Sequence, residues 1–208
     1  MPNQLKPLQA FEVLNQRFHI HGTSFDTRRG EAVLSAGKQV GGHTIFLLQG
    51  CVSLTRKTNN LLLGYVQAPF VTGLAAGIIE NQEEYLMVTE SACHGYYLPA
   101  EAAASLLEQH QLWREAFQWL AWQVRVLQKR ECQLVGSNSY NQIRATLLSM
   151  TGWEESLRAR VGVMNYIQRS THISRSVIAE VLAALREGEY IQMHKGKLVA
   201  VNRLPSDY

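Results

Sequence analysis

The sequence is poor in cysteine, lacks any long apolar run and carries a net charge of only +3. Each shortage narrows what the chain can be. Cys51, Cys93 and Cys132 are the only three cysteines in 208 residues. Odd in number and widely separated, they exclude a disulfide framework and a paired C-x-x-C zinc site, so reduced thiols are expected. The longest apolar stretches, around Leu61 to Leu63 and from Ala102 to Leu107, fall far short of the roughly 20 residues that cross a bilayer, and no membrane contact is expected. The opening Met-Pro-Asn-Gln-Leu-Lys-Pro lacks the charged-then-apolar layout of a signal peptide, which makes the cytoplasm the expected location. Catalytic signatures are missing too: there is no Gly-x-Ser-x-Gly elbow, phosphate loop or dinucleotide fingerprint. His19-Ile20-His21-Gly22 has a two-histidine start, but Thr23, Ser24, Phe25 and Asp26 stand where a metal-binding glutamate would be needed. An enzyme is not expected.

What is present is a globular composition, 46% apolar, sufficient for two modest cores. Divided along the chain, the charge is uneven. Residues 1–100 hold seven basic and seven acidic side chains, 101–140 four of each, and 141–208 nine against six, so the whole excess of +3 lies in the last third. A local basic excess is what contact with phosphate requires.

Three textures succeed one another. Residues 1–99 carry short β-prone runs, Thr44 to Leu48, Cys51 to Thr55, Leu61 to Val66 and Tyr85 to Val88, separated by turn signals. They predict a small antiparallel β roll, with Asn59-Asn60 and Gln49-Gly50 as hairpin turns. From Ala100 to Val135 the sequence is free of glycine and rich in Ala, Leu, Glu and Gln, which predicts one long helix or two nearly continuous ones opened by Pro99. Here Trp113, Phe117, Leu120, Val124, Leu127 and Leu134 recur at alternating steps of four and three, broken only by Glu131. This is the pattern of a helix–helix seam and predicts a homodimer formed through residues 100–136. A second stripe of Trp119, Trp122 and Val126 is expected to face the chain's own domain; the alternative is a wholly intramolecular helix. Gly136 to Ser139 form a hinge, and residues 137–208 make the last domain, starting with a helix from Tyr140 to about Met150.

The run VMNYIQRSTHISRSVIAEVLAALREGEYIQMHKGKLVAVNRL, from Val163, reads as helix, turn, helix and wing. A short helix from Met164 to about Arg169 precedes a polar turn and a second helix from Ser174 to Glu187. Ser174 is a good N-cap and Gly188 a good stop. Val177, Ile178, Val181, Leu182 and Leu185 are expected to be buried, leaving Arg175, Ser176 and Ala179 outward. Two strands, Tyr190 to His194 and Lys197 to Val201, joined at Lys195-Gly196, form a basic-tipped wing. First-turn side chains of such a helix meet base edges in a DNA groove. Arg175 is the candidate for guanine, with Ser174 and Ser176 for phosphate or base; Arg169, His172, Lys195 and Lys197 are candidate backbone contacts.

At this point the chain resembles the Crp/Fnr regulators, which join a cyclic-nucleotide-binding-type β roll to a long dimer helix and a C-terminal winged helix-turn-helix. The resemblance implies an α+β fold of that layout, with double-stranded DNA and a second copy as partners and RNA polymerase open as a third. Ile173-Ser174-Arg175-Ser176-Val177 resembles the family's Cys-Ser-Arg-Glu-Thr start of the recognition helix and puts Arg175 at its base-reading arginine. Ser176 and Glu180 depart from it, standing where glutamate and a second basic residue are common, so the target sequence need not be the usual one. His172 takes a turn position where glycine is frequent, and histidine adopts positive φ more readily than most residues. Within the family, QAPF (Gln67 to Phe70), QHQLWREAF (Gln109 to Phe117), SYNQIRATL and SRSVIAEVLAALR resemble an enterobacterial branch concerned with hydrogen peroxide resistance, which implies a role in oxidative stress.

Family members that hold cyclic nucleotide use a glutamate for the ribose and an Arg-Ser pair for the phosphate. Aligned without gaps from Phe70, these positions become Gly73 and Glu83-Glu84, so carboxylates would face the phosphate and cyclic AMP is not expected to bind. No cluster of cysteines lies near the N-terminus, which argues against an iron–sulfur centre. No cofactor is expected, although His19, His21, His43 and His94 would be the axial candidates if haem were held. Oxidant sensing stays open at Cys132, which comes after Lys129 and Arg130 on the long helix, where positive charge favours thiolate. The alternative to a DNA-binding regulator is a non-catalytic interaction module that keeps a degenerate Crp-like scaffold.

Overall fold

The computed structural model describes residues 6–34, 42–79 and 85–206. Residues up to Arg125 form one compact unit and those from Val126 onward a second. The first unit begins with helix α1, Leu8–Phe18, which buries Ala10, Phe11, Leu14 and Phe18 along one face. The strands β1 (Thr23–Thr27), β2 (His43–Gln49), β3 (Cys51–Arg56), β4 (Leu62–Gln67), β5 (Phe70–Thr72), β6 (Tyr85–Thr89) and β7 (Cys93–Pro99) make two antiparallel sheets. One has the order β1-β7-β2-β5 and the other β4-β3-β6.

Glycines set how closely these strands approach. In β7, a Cβ on Gly95 would lie 2.1 Å from the Phe46 carbonyl oxygen, so only glycine lets this central strand lie against β2. Asn60 turns the β3–β4 hairpin at φ 56°, as its position between the two runs predicts. Gln49-Gly50 does not make the hairpin expected of it. β2 and β3 belong to different sheets, and Gly50, at φ 94° with no room for a Cβ beside the Ala92 carbonyl, is the corner where the chain leaves one sheet for the other.

The roll is filled by its own aromatic side chains. Phe46 is fully buried, stacks on Tyr96 at 4.8 Å between ring centroids, and meets Phe11 and Phe18 at 5.6 and 5.4 Å. Burial pushes the Tyr96 phenol up, and its hydroxyl donates to Asn15 Oδ1 at 2.9 Å. Gly73, aligned with the family's ribose-binding glutamate, has φ 81°, and a Cβ there would lie 2.1 Å from the His43 carbonyl oxygen. That backbone accepts no larger residue without moving. Glu83-Glu84 lie outside the described residues.

Two helices come next, α2 (Ala100–Gln109) and α3 (Trp113–Leu134), parted where Gln111 takes φ 53°. Trp119 of α3 is fully buried, and its indole donates to the Val71 carbonyl at 2.7 Å; Gln123 donates to the same oxygen at 3.1 Å. These bonds turn the Trp119 and Trp122 side of α3 onto the roll. Val126, expected on the same stripe, is instead 43% exposed, lying beyond the residues that bond to β5. Of the residues expected to form a seam, Trp113, Phe117, Val124 and Leu127 are exposed, Phe117 to 72%, while Leu120 is partly buried against the core and Leu134 is half-buried.

The second unit holds the end of α3, then α4 (Ser139–Thr151), α5 (Glu155–Arg158), α6 (Val163–Thr171), α7 (Arg175–Glu187) and a hairpin of β8 (Ile191–His194) and β9 (Lys197–Val201). Asn138 caps α4 by accepting from the Asn141 amide at 2.8 Å. Ile143, Leu147 and Met150 of α4 join Val163, Ile167, Ile178, Leu185 and Leu198 as buried apolar residues. Among the described residues no helix is long and apolar enough to cross a membrane.

Removing the ring at the centre of the roll tests this packing. Phe46→Ala is expected to lower unfolding stability by about 3–5 kcal/mol in urea titration. A loss under about 1 kcal/mol would mean that the roll repacks around the cavity.

Candidate nucleic-acid interface

Helix α6 ends at His172, whose backbone is left-handed at φ 62° and ψ 14°. This residue lets the chain turn out of α6 and enter α7 within three residues. The backbone of Ser174 is extended at φ −62° and ψ 148°, and its hydroxyl oxygen accepts from the Val177 amide and lies 3.1 Å from the Ser176 hydroxyl. The cap therefore fixes where α7 starts, and Arg175 is its first residue.

Ile178, Val181, Leu182 and Leu185 are buried on one side of α7. Arg175, Ser176, Ala179, Glu180 and Ala183 are exposed on the other. Val177, expected in the core, is 36% exposed. At 100° per residue it stands on the flank between the two faces, in the first turn, and so adds an apolar group to the exposed start of the helix.

The wing is fastened to α6. Lys195 and Gly196 turn the β8–β9 hairpin with φ 47° and 77°, the two positive values that a tight two-residue turn needs. The Val163 amide donates to the Gly196 carbonyl at 3.0 Å, and the Lys197 ammonium donates to the Arg160 carbonyl. Lys195 is exposed at the tip, whereas Lys197 is half-buried with its ammonium turned back to the protein. Arg169 is half-buried on α6, and His172 is exposed at the turn.

Sequence reasoning missed Arg130. From the end of α3 its guanidinium donates to the Ser170 carbonyl at 3.1 Å, serving one of the acceptors that a helix C-terminus leaves open. The side chain adjoins the turn into α7. No periodicity marks such a role; only an arginine two positions before Cys132 was visible. Cys132 itself is exposed, with Sγ 3.6 Å from Glu131 Oε2.

Of the histidines considered for haem, His19 and His21 lie in the single turn after α1, His43 begins β2 and His94 is on β7. His94 Nδ1 meets Asp26 Oδ1 at 2.9 Å, His43 packs edge-on to Tyr97, and His19 Nδ1 contacts the Asn15 carbonyl at 3.0 Å. No group of three or more His, Cys, Asp or Glu among the described residues could hold a metal ion. Burial pushes the Cys93 thiol up, and its Sγ lies 3.3 Å from the Cys51 carbonyl oxygen and 3.5 Å from that of Ser91.

Residues 139–206 match a family of winged helix-turn-helix DNA-binding domains. Over the full length of both chains, the protein is 52% identical to the inhibitor of hydrogen peroxide resistance of Escherichia coli K12. The chain belongs to this family of inhibitors of hydrogen peroxide resistance. Its fold is that of the Crp/Fnr regulators: the c-di-GMP-responsive global regulator CLP of Xanthomonas campestris superposes with a TM-score of 0.73, covering 92% of this chain and 99% of that one at 17% identity. A CRP-family transcriptional regulator of Thermus thermophilus does so at 0.65, covering 86% and 92% at 21% identity. The α+β layout implied by the sequence is thus present in this member of the inhibitor family.

The Ser174 cap gives a stability prediction. Ser174→Ala is expected to lower unfolding stability by about 0.5–2 kcal/mol, and Ser174→Asn to restore most of it. Equal stability of the alanine variant and the wild type would show that α7 is started by its packing alone.

Proposed function

We propose that this member of the inhibitor family is a sequence-specific DNA-binding transcription regulator that acts in the cytoplasm on resistance to hydrogen peroxide. The observation that carries the reading is the start of α7. There a capped helix presents Arg175 and Ser176 to solvent, within a domain matched to winged helix-turn-helix DNA binding. Arg175 would read guanine through its two acceptors, with Ser174 and Ser176 at base or phosphate. Arg169, His172 and Lys195 would meet phosphates, and Lys197 would do so through its exposed part while bracing the wing. No catalytic step is assigned to any residue.

The working form is a homodimer, with residues 1–99 as the roll, 100–136 as the dimer helix and 137–208 as the DNA-binding part. Its support is the row of exposed apolar side chains, Trp113, Phe117, Val124 and Leu127, which are more stable covered than in water. Control by cyclic AMP is not part of the proposal, because Gly73 leaves no room for the ribose contact. Cys132 is the thiol open to oxidant, since Cys51 and Cys93 are buried. Peroxide would convert it to sulfenic acid with release of water. RNA polymerase is the protein partner that such a regulator would meet at a promoter.

A second reading, a non-catalytic interaction module on the same scaffold, is favoured by one observation: Glu180 places a carboxylate on the exposed side of α7. Salt separates the two readings, because binding through phosphate contacts weakens steeply as salt rises.

Genome-wide occupancy of the wild type is expected to show discrete peaks that Arg175→Ala abolishes, and a change of occupancy on peroxide treatment. Absence of peaks in every condition would favour the interaction module. In light scattering at micromolar concentration, the wild type is expected to be a dimer and the double variant Phe117→Glu, Leu127→Glu a folded monomer. A wild-type monomer would overturn the seam.

A further inference from the structure

Between its first and last turns, the outward side of α7 combines two short side chains with one long acidic one; Arg186 and Glu187 follow in the last turn. Ala179 and Ala183 are short and allow the helix backbone to come close to a surface. Between them Glu180 alone carries a long side chain, exposed and one turn beyond Ser176, and it makes no hydrogen bond or ion pair with any described residue. It stands about 7.5 Å further along the axis than Arg175 and roughly 140° around it, so the two mark opposite borders of the exposed side.

If this side enters a DNA groove, an unpaired carboxylate there meets the phosphate field and is repelled. It is tolerated where it finds a donor, and the major groove offers donors only at base edges. Cytosine presents its N4 amino group without an adjacent acceptor, whereas adenine pairs its N6 amino group with the N7 acceptor, which would repel a carboxylate. We infer that Glu180 is a specificity-determining residue that reads cytosine through N4, so that each half-site carries a guanine read by Arg175 and, about two base pairs away, a cytosine read by Glu180. The spacing comes from an axial offset of about 7.5 Å against about 3.4 Å per base pair. The inference rests on the DNA-binding reading of the preceding subsection and deepens it.

Selection of binding sites from a random duplex library tests both, using the full-length protein and its Arg175→Ala, Glu180→Gln and Glu180→Ala variants. The wild type is expected to enrich an element holding both bases. Both Glu180 variants are expected to keep the guanine preference and lose the cytosine preference by roughly tenfold. The inference is overturned if they select the same element with the same preference at every position. It is also overturned if Glu180→Ala tightens binding equally on all sequences, since the carboxylate then only repels the backbone, or if the affected position prefers adenine. Failure of the wild type to enrich any element would overturn the DNA-binding reading itself, and this inference with it, a result distinct from an element that ignores Glu180.

Discussion

The hydrogen bond from the buried Trp119 indole to the Val71 carbonyl decides which way α3 faces. A buried indole needs an acceptor, and β5 is an edge strand whose carbonyl is available to one. With Gln123 on the same oxygen, the helix is held in rotation as well as in place. Trp113, Phe117 and Val124 then have no option but to face water on the opposite flank. The exposed apolar row is thus a by-product of burying one tryptophan correctly: an internal polar requirement fixes an external apolar surface.

A comparable division of labour governs the C-terminal unit. His172 accepts a left-handed backbone, Ser174 caps, and Arg130 serves a carbonyl of the turn from the neighbouring helix. Each satisfies a backbone group or conformation that the break between α6 and α7 would otherwise leave strained or unpaired. None contributes much apolar burial. The face of α7 therefore owes its orientation to polar contacts at its first turn, while Ile178, Val181, Leu182 and Leu185 supply the adhesion.

Much of this was legible in the sequence because its signals are local. The helix–turn–helix and wing came from a cap residue, a periodic apolar side and a Lys-Gly turn, all of which act within a few residues. The missed elements depend on distant partners. β7 hides behind Gly95, which weakens its strand pattern and is required only because Phe46 lies against it. The misreading of Gln49-Gly50 has the same origin: a local turn signal does not say whether the next strand rejoins its own sheet or crosses to another. α1 does show in the spacing of Ala10, Phe11, Leu14 and Phe18, but the prolines that precede it obscure its start. In the candidate site, Lys197 was visible as a basic residue, but its commitment to the Arg160 carbonyl is set by a loop 37 positions away in the chain.

That commitment, together with the bond between Val163 and Gly196, has a consequence for how tightly the domain can bind. A wing free to swing would have to be immobilised each time it met a ligand, at an entropic cost of about 0.5–1.5 kcal/mol for every rotamer-rich side chain that became ordered. Here the hairpin is already anchored to the helix that precedes α7. The tip is thus preorganised, and the hairpin around Lys195 is already held still.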